Sequence, residues 1–275
     1  MVDTHVASLM LKLFINKLGV RTAATTAITA SRSRRRIDLG DDIPAYSIYA
    51  IGDVHGRLDL LLAAEKKIEA DLNETGDRGL IVTLGDHIDR GPHSAGVISH
   101  LLKPLPDVMR RLALCGNHEA AFLDFMDDPL SNMWWLEYGG RDTLLSYGVD
   151  IDYFMSKRKL LAEDLRRAMQ ESVPVEHVDF LKAMPISLRA SHFVFVHAGL
   201  RPGIALNAQT DQDMLWIREP FLSEGPRMDY TVIHGHTPSD DLDLGPNRIG
   251  IDTNAVTTGQ LTVLKIERGR AHLLG

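Results

Sequence analysis

Cysteine is almost missing from this chain. A single thiol, Cys115, stands among 275 residues, so no intramolecular disulfide can close, and a reducing, cytoplasmic setting is expected. A positive surplus is missing too. Thirty Lys and Arg face thirty-seven Asp and Glu, for a formal net charge of −7. That balance lacks the electrostatic footprint of a nucleic-acid binder, and nucleic acid is not expected as a partner. No apolar run is long enough to cross a bilayer: residues 9–18 are broken by Lys12, Asn16 and Lys17, which excludes a transmembrane segment there. Nor does that run end in a convincing signal-peptidase site. What remains, with 44% hydrophobic residues, is a chain able to bury the core of one compact α/β enzyme.

The informative residues come in short blocks. Gly52-Asp53-Val54-His55-Gly56, Gly85-Asp86-His87-Ile88-Asp89-Arg90-Gly91, Gly116-Asn117-His118-Glu119, His197-Ala198-Gly199 and Gly235-His236-Thr237 each follow an apolar run. A lone Asp after a strand is ordinarily a turn or capping residue, but five ordered blocks of Asp, His and Asn are not accounted for that way. Asp53, His55, Asp86, Asn117, His197 and His236 are six candidate metal ligands. A bridging carboxylate, imidazoles and a neutral amide oxygen suit two divalent cations, which lie about 3.5–4 Å apart in two-metal hydrolases, activate water and clamp the oxygens of a phosphoryl transfer. Imidazole with carboxylate favours Mn, Fe or Zn over Ca or Mg, and Mn is the expected metal.

Over residues 47–266 these blocks and their order resemble the phosphoprotein phosphatase family of calcineurin-like metallophosphoesterases, nearest its bacterial and bacteriophage-type serine/threonine phosphatases. The resemblance implies that Asp53, His55 and Asp86 hold one metal, with Asp86 bridging, while Asn117, His197 and His236 complete the second. His234, two residues before His236, is then left off the metals. Arg90 and Arg218 match the family's phosphate-holding arginines, whose planar guanidinium can grip oxygens in pairs. His118 matches the general acid for the leaving alkoxide, and Asp89 its hydrogen-bonding partner. The implied reaction is direct in-line attack by metal-held hydroxide, with no phosphoenzyme.

The implied substrates are phosphoserine and phosphothreonine in proteins or peptides, with phosphotyrosine and small aryl phosphates as further candidates. A symmetrical dinucleoside tetraphosphatase, from the same superfamily, is the rival reading. Asp89 before Arg90-Gly91, and Glu119 after His118, follow the protein phosphatase pattern instead. A non-catalytic metal-binding scaffold would be favoured by a lost acid or bridging ligand, and neither loss is present.

Around these blocks the chain is read as residues 1–44, an extension with an amphipathic helix at 9–18 and a flexible, solvated stretch at 23–36 ending in Ser31-Arg32-Ser33-Arg34-Arg35-Arg36, followed by one catalytic domain, 45–275. Docking of the extension on a partner or an anionic membrane is the sharper alternative. Strand then helix is expected at 46–51 and 58–72, at 80–84 and 94–102, and at 109–114 and 120–126. Residues 157–170 and 175–184 read as helices, and 193–196, 230–233, 248–251 and 261–266 as strands. Composition alone fits a doubly wound single sheet as well as two packed sheets. The resemblance implies the latter, a β-sandwich flanked by helices with the metals at one end.

Three features stay open at this level. Cys115 is either a small buried hydrophobe or a thiol near enough to the metals to make activity redox-sensitive. Trp134 and Trp135 are either core anchors or a wall facing substrate. His87, His93, His100, His177, His192 and His272 lack motif context and read as surface or satisfied structural histidines.

Overall fold

The computed structural model describes residues 33–156 and 162–275. Arg34–Gly275 form one compact unit. Its elements run β1 (Arg36–Asp38), β2 (Ser47–Ile51), α1 (Leu58–Thr75), β3 (Gly79–Thr83), α2 (Ser94–Leu101), β4 (Met109–Ala113), α3 (Asn117–Asp127), a 3-10 turn at Met133–Tyr138, α4 (Gly140–Ser146), α5 (Ile151–Ser156), α6 (Ala162–Ser172), α7 (Val175–Ala183), β5 (Ser187–Ala190), β6 (Phe193–Val196), α8 (Asp211–Trp216), β7 (Thr231–His234), β8 (Asp243–Gly245), β9 (Arg248–Gly250), β10 (Val263–Glu267) and β11 (Arg270–Leu273).

The strands form two sheets, ordered β1-β5-β6-β7-β9-β8 and β11-β10-β2-β3-β4. Alternation along each strand explains why both sheets are buried on two faces. Ile48 and Ala50 of β2, Val82 of β3, Phe193 and Phe195 of β6, and Leu264 and Ile266 of β10 share one core cluster that draws on both sheets. Their neighbours Tyr49, Ile51, Ile81, Val194, Val196 and Val263 belong to a second cluster with the helices. Burial on both faces makes the strands read as continuous apolar runs. The architecture is thus two packed sheets flanked by helices, the alternative that composition left level with a single sheet.

Pairing register positions the site. In one sheet β2, β3 and β4 are parallel neighbours with Ile51 opposite Thr83 and Thr83 opposite Ala113. In the other, β6, β7 and β9 are parallel, with Phe195 opposite Ile233 and Ile233 opposite Ile249. The carboxyl ends of each set are therefore level, and every ligand block follows one of these strands, the usual position for ligands in open α/β sheets.

Helix α1 illustrates the local logic. Leu61, Ala64, Ile68 and Leu72 recur at helical spacing and are buried, and Gly76, in the left-handed conformation, ends the helix by donating its N–H to Leu72 O at 2.9 Å. That is the usual glycine C-cap. Glu65, also on the buried face, is satisfied by His100 Nε2 at 2.6 Å and Arg111 Nη1 at 2.5 Å.

The basic end of the N-terminal stretch is engaged rather than solvated. Strand β1 pairs in parallel with β5, Arg36 opposite Ser187. The Arg34 N–H donates to Asp211 Oδ2 at 2.7 Å, and Arg36 Nη2 to Asp211 Oδ1 at 2.9 Å. Arg34 Nη1 also reaches Leu181 O and Met184 O, at 3.0 and 3.1 Å, placing a cation at the carboxyl end of α7 where the helix dipole favours it. The helix expected at 9–18 lies outside the described residues, as do 23–32 and 157–161. Strands β1, β5, β8 and β11 were not foreseen, being only three or four residues long and carrying charged or small residues. No described helix is long and apolar enough to cross a membrane.

Candidate metal centre

All six candidate ligands meet at the level carboxyl ends of the two sheets. Asp86 sits in the middle: its Oδ1 is 3.3 Å from His197 Nε2, and its Oδ2 is 3.7 Å from His55 Nε2. Its two oxygens thus face imidazoles on different sides, which leaves Asp86 within reach of two cations. The Asn117 amide oxygen lies 2.8 Å from His197 Nε2 and 2.9 Å from His236 Nδ1, so three donor atoms converge on one point. Asp53 lies against the last block, where the His236 backbone N–H donates to its Oδ2 at 3.1 Å. That approach needs glycine before His236, because a Cβ on Gly235 would stand 1.9 Å from Asp53 Oδ1.

The turns that carry these side chains are strained. His55, Asp86, Asp89, Arg90 and His236 all have positive φ, between 44° and 73°. Non-glycine residues seldom adopt this region, which costs of order 1–3 kcal/mol each and persists where surrounding structure imposes it. Glu119 is the anchor for one such turn. Its carboxylate accepts the N–H groups of Gly116, Asp86 and His87 at 2.8, 2.9 and 2.8 Å, tying the third block to the second.

Ring orientation is set from behind. His55 Nδ1 donates to Ile88 O at 2.8 Å and His197 Nδ1 to Leu84 O at 2.9 Å, which turns each Nε2 towards Asp86. Such backbone acceptors fix the tautomer of a metal-binding histidine. Burial holds His55 and His236 near pKa 3, so both are neutral at pH 7 with a lone pair to give.

The site fits cations on its own chemistry. Among buried side-chain atoms, His55 Nε2 has no hydrogen-bond partner. Burial first, then the charge of Asp252, pushes the Asp53 carboxyl well above the usual range. Burial also opposes ionisation of Asp86, but His197 and His118 outweigh it and hold Asp86 well below that range. Clustered carboxyl groups at this depth stay ionised together only beside positive charge, which divalent cations supply. Among the described residues, two His/Asp groups have metal-binding spacing, His55–Asp86–His118 and Asp86–His197–His236.

His118 belongs to the first of these groups by distance, its Nε2 lying 3.7 Å from Asp86 Oδ2. Its surroundings suit a proton better than a metal. Nδ1 lies 2.6 Å from Asp89 Oδ2, while Nε2 accepts from Arg90 Nη2 at 3.2 Å; that guanidinium repels a metal ion and also opposes a proton on the ring. Burial opposes protonation of His118, but Asp86 and Asp89 overcome it and raise its pKa above the usual value. Arg90 is exposed at the rim. Arg218 is also exposed, close enough for its charge to lower the pKa of His236 further.

Two contributors to the site escaped sequence reasoning. Asp252, after β9, is 3% exposed and acts on Asp53; a single Asp beyond a strand gave no signal. Glu119 marks the protein phosphatase pattern in the sequence, but its place three residues after Gly116, at a helix start, is also the spacing at which Glu reaches back to an N-cap N–H. Burial disfavours its charge, yet His87 and the Gly116 N–H hold its pKa down to about 2. A folded value below the unfolded one, roughly 4.3, adds stability above that pH that is lost as pH falls through the folded value. Glu119→Gln is therefore expected to lower the unfolding midpoint of the metal-free protein at pH 7 and to flatten the acid limb between about 4.3 and 2, which thermal denaturation against pH checks.

The paired tryptophans divide. Trp135 is fully buried against Phe122 and Phe125, with ring centroids 5.3 and 4.9 Å away. Trp134 is 41% exposed, edge-on to Tyr138 at 5.6 Å and 6.2 Å from Trp216, which itself lies 6.2 Å from His236. An aromatic ledge thus runs outward from the metal centre. Cys115 is fully buried, and burial pushes its thiol pKa far up, which favours the small-hydrophobe reading. His87, buried, meets Thr83 Oγ1 at 2.6 Å; His100 pairs with Glu65 and His177 with Tyr147. His234, buried beside Phe221 and Arg248, stays outside the ligand cluster.

Comparison with known proteins agrees with this geometry. A family model described as calcineurin-like phosphoesterase matches residues 46–267. Serine/threonine-protein phosphatase 1 of Salmonella typhimurium is 27% identical over 225 residues, 80% of this chain and 92% of that protein. An asymmetrical bis(5'-nucleosyl)-tetraphosphatase of Halalkalibacterium halodurans is 24% identical over 244 residues, covering 78% and 88% respectively. Among solved structures, a cold-active protein-tyrosine phosphatase of a psychrophilic Shewanella species superposes with a TM-score of 0.57 at 15% identity, over 87% of this chain and 82% of that one; at that identity the likeness concerns fold alone.

Proposed function

Because the chain belongs to the calcineurin-like phosphoesterase family and is a metal-dependent phosphoesterase, we propose that it is a phosphoprotein phosphatase acting on phosphoserine and phosphothreonine, with Asp53, His55, Asp86, Asn117, His197 and His236 holding two divalent ions, Mn foremost and Fe or Zn as substitutes. The observation that carries this reading is the His118–Asp89 pair, 2.6 Å apart and buried beside Arg90. A serine or threonine alkoxide is a very poor leaving group and needs a proton as the P–O bond breaks, whereas a phenolate or a nucleotide phosphate departs with far less help. A protonated imidazole fixed by a carboxylate suits the first class.

Two divalent ions held by these six residues would supply Lewis acidity to the phosphoryl oxygens and acidify the attacking water. The chain's own residues do the rest. Arg90 and Arg218 hold the phosphoryl oxygens and turn the P–O bond towards His118. His118 gives its Nε2 proton to the departing oxygen, and Asp89 stabilises the imidazolium until then. Asn117 would offer a neutral amide oxygen beside His197 and His236, adding no charge, so the centre would keep its net attraction for the dianion.

A second reading, cleavage of dinucleoside polyphosphates, has one observation behind it: the ledge of Trp134, Tyr138 and Trp216 offers ring faces on which a base could stack. The test is turnover of metal-stripped protein reloaded with Mn²⁺ on phosphoserine, phosphothreonine and phosphotyrosine peptides and on diadenosine tetraphosphate. Faster release from the serine and threonine peptides is expected; faster dinucleotide cleavage would transfer the proposal to nucleotides. Trp134→Ala, assayed on the same panel, is expected to change the ranking of peptides by their flanking residues, and an unchanged ranking would remove the ledge from substrate selection.

A further inference from the structure

We propose that Trp135 and Thr143 are positioning residues for the proton donor, holding the Asp89 carboxylate so that it can orient His118. This inference rests on the acid role proposed for His118. Three hydrogen bonds converge on Asp89. Its Oδ2 accepts from Trp135 Nε1 and faces His118 Nδ1, each at 2.6 Å, while its Oδ1 accepts from the Thr143 hydroxyl, also at 2.6 Å. The Asp89 N–H in turn donates to Thr143 Oγ1 at 2.8 Å and to Ser94 Oγ at 3.0 Å. With both carboxylate oxygens and the backbone N–H fixed, the side chain has no free rotation left, and the imidazole it meets is held with Nε2 towards Arg90 and Asp86.

Core packing does not explain this choice of residues. A phenylalanine could fill the space between Phe122 and Phe125, whereas tryptophan brings a polar N–H that must be satisfied when buried. Here the N–H is used on a carboxylate, and both partners are fully buried. The segment between the two positioning residues is shaped to the same end. The Arg90 N–H donates to Gly139 O at 3.2 Å, which ties the Asp89-Arg90 turn to the end of the 3-10 turn. A Cβ on Gly140 would stand 2.4 Å from the Trp135 ring, so the chain turns into α4 directly against the indole and delivers Thr143 one turn later to the other side of Asp89. The sequence from Trp135 to Thr143 is in this sense one clasp around a single carboxylate.

A clasp that acts through the proton donor has a signature that a structural role lacks: its loss should fall on substrates that need the proton. The experiment compares kcat/KM of the Mn²⁺-loaded wild type, Trp135→Phe, Thr143→Val, Thr143→Ser and His118→Asn on a phosphoserine peptide and on p-nitrophenyl phosphate, with metal content and melting temperature measured alongside. Trp135→Phe and Thr143→Val are expected to lose about ten- to hundredfold on the peptide, the rate equivalent of one hydrogen bond to a charged group, and much less on the aryl ester. Thr143→Ser, which keeps the hydroxyl, should restore the peptide rate. Should Trp135→Phe not fold, the Thr143 pair carries the test by itself. Equal losses on both substrates in the Trp135 and Thr143 variants, with a selective loss in His118→Asn, would overturn the clasp and leave the acid role standing. Equal losses in His118→Asn itself would overturn the acid role and the clasp with it.

Discussion

Asp86→Asn is expected to abolish turnover and to leave the chain unable to retain a full complement of metal. The carboxylate is used on every side: Oδ1 accepts the His118 backbone N–H at 3.1 Å and faces His197 at 3.3 Å, while Oδ2 faces His55 and His118, both at 3.7 Å. An amide keeps one oxygen and replaces the other with an NH₂ group, whose protons would point at a cation. Whichever way the amide flips, one acceptor oxygen is replaced by a donor, and the cluster loses a full negative charge where burial makes charge count most. Elemental analysis after dialysis, together with p-nitrophenyl phosphate turnover, checks this. Two equivalents of metal retained with more than about 1% of wild-type rate would show that Asp86 does not bridge, since a bridging ligand serves the transition state through both ions at once.

How much of this was legible in the sequence depends on the kind of signal each residue leaves. The six candidate ligands and the His118–Asp89 pair sit in compact blocks after apolar runs, because the fold brings all its chemistry to strand ends, and the strand ends are what periodicity detects. The two-sheet layering was not legible from composition. Strands buried on both faces look alike whether helices or a second sheet cover them, and the short strands β1, β5, β8 and β11, with charges such as Arg36, Arg189 and Arg270, lack the apolar length that marks a strand. The clip of Arg34 and Arg36 onto Asp211 joins residues about 175 positions apart, and a basic run gives no hint of a partner so distant. Trp134 and Trp135 show the limit most plainly. Adjacent in a 3-10 turn, they face opposite ways, one into the core and onto Asp89, the other onto the surface beside Trp216, and no pattern around them says which is which.

His118→Asn should slow release from phosphoserine peptides by roughly 10²- to 10⁴-fold, the usual range for a positioned acid, and p-nitrophenyl phosphate hydrolysis far less. The argument turns on what the imidazole provides at each atom. Nδ1 is held by Asp89, so the proton available for transfer is the one on Nε2, beside Arg90 and on the Asp86 side of the site. Burial works against that proton, but in the metal-free protein the charge of Asp86, with the bond and charge of Asp89, raises the pKa of His118 above the usual imidazole value, and Asp89 keeps its share when cations offset Asp86. Asparagine is smaller, but its amide reaches the Nδ1 position and can still bond to Asp89, so the adjoining candidate ligand Asn117 need not move; what disappears is a donor acidic enough to protonate an alkoxide. A nitrophenolate needs no such proton, and its rate therefore reports on the metals and arginines alone. The ratio of the two losses separates proton donation from general damage. A ratio near one would mean that His118 serves the phosphoryl group itself, by charge, and that the leaving oxygen takes its proton from solvent.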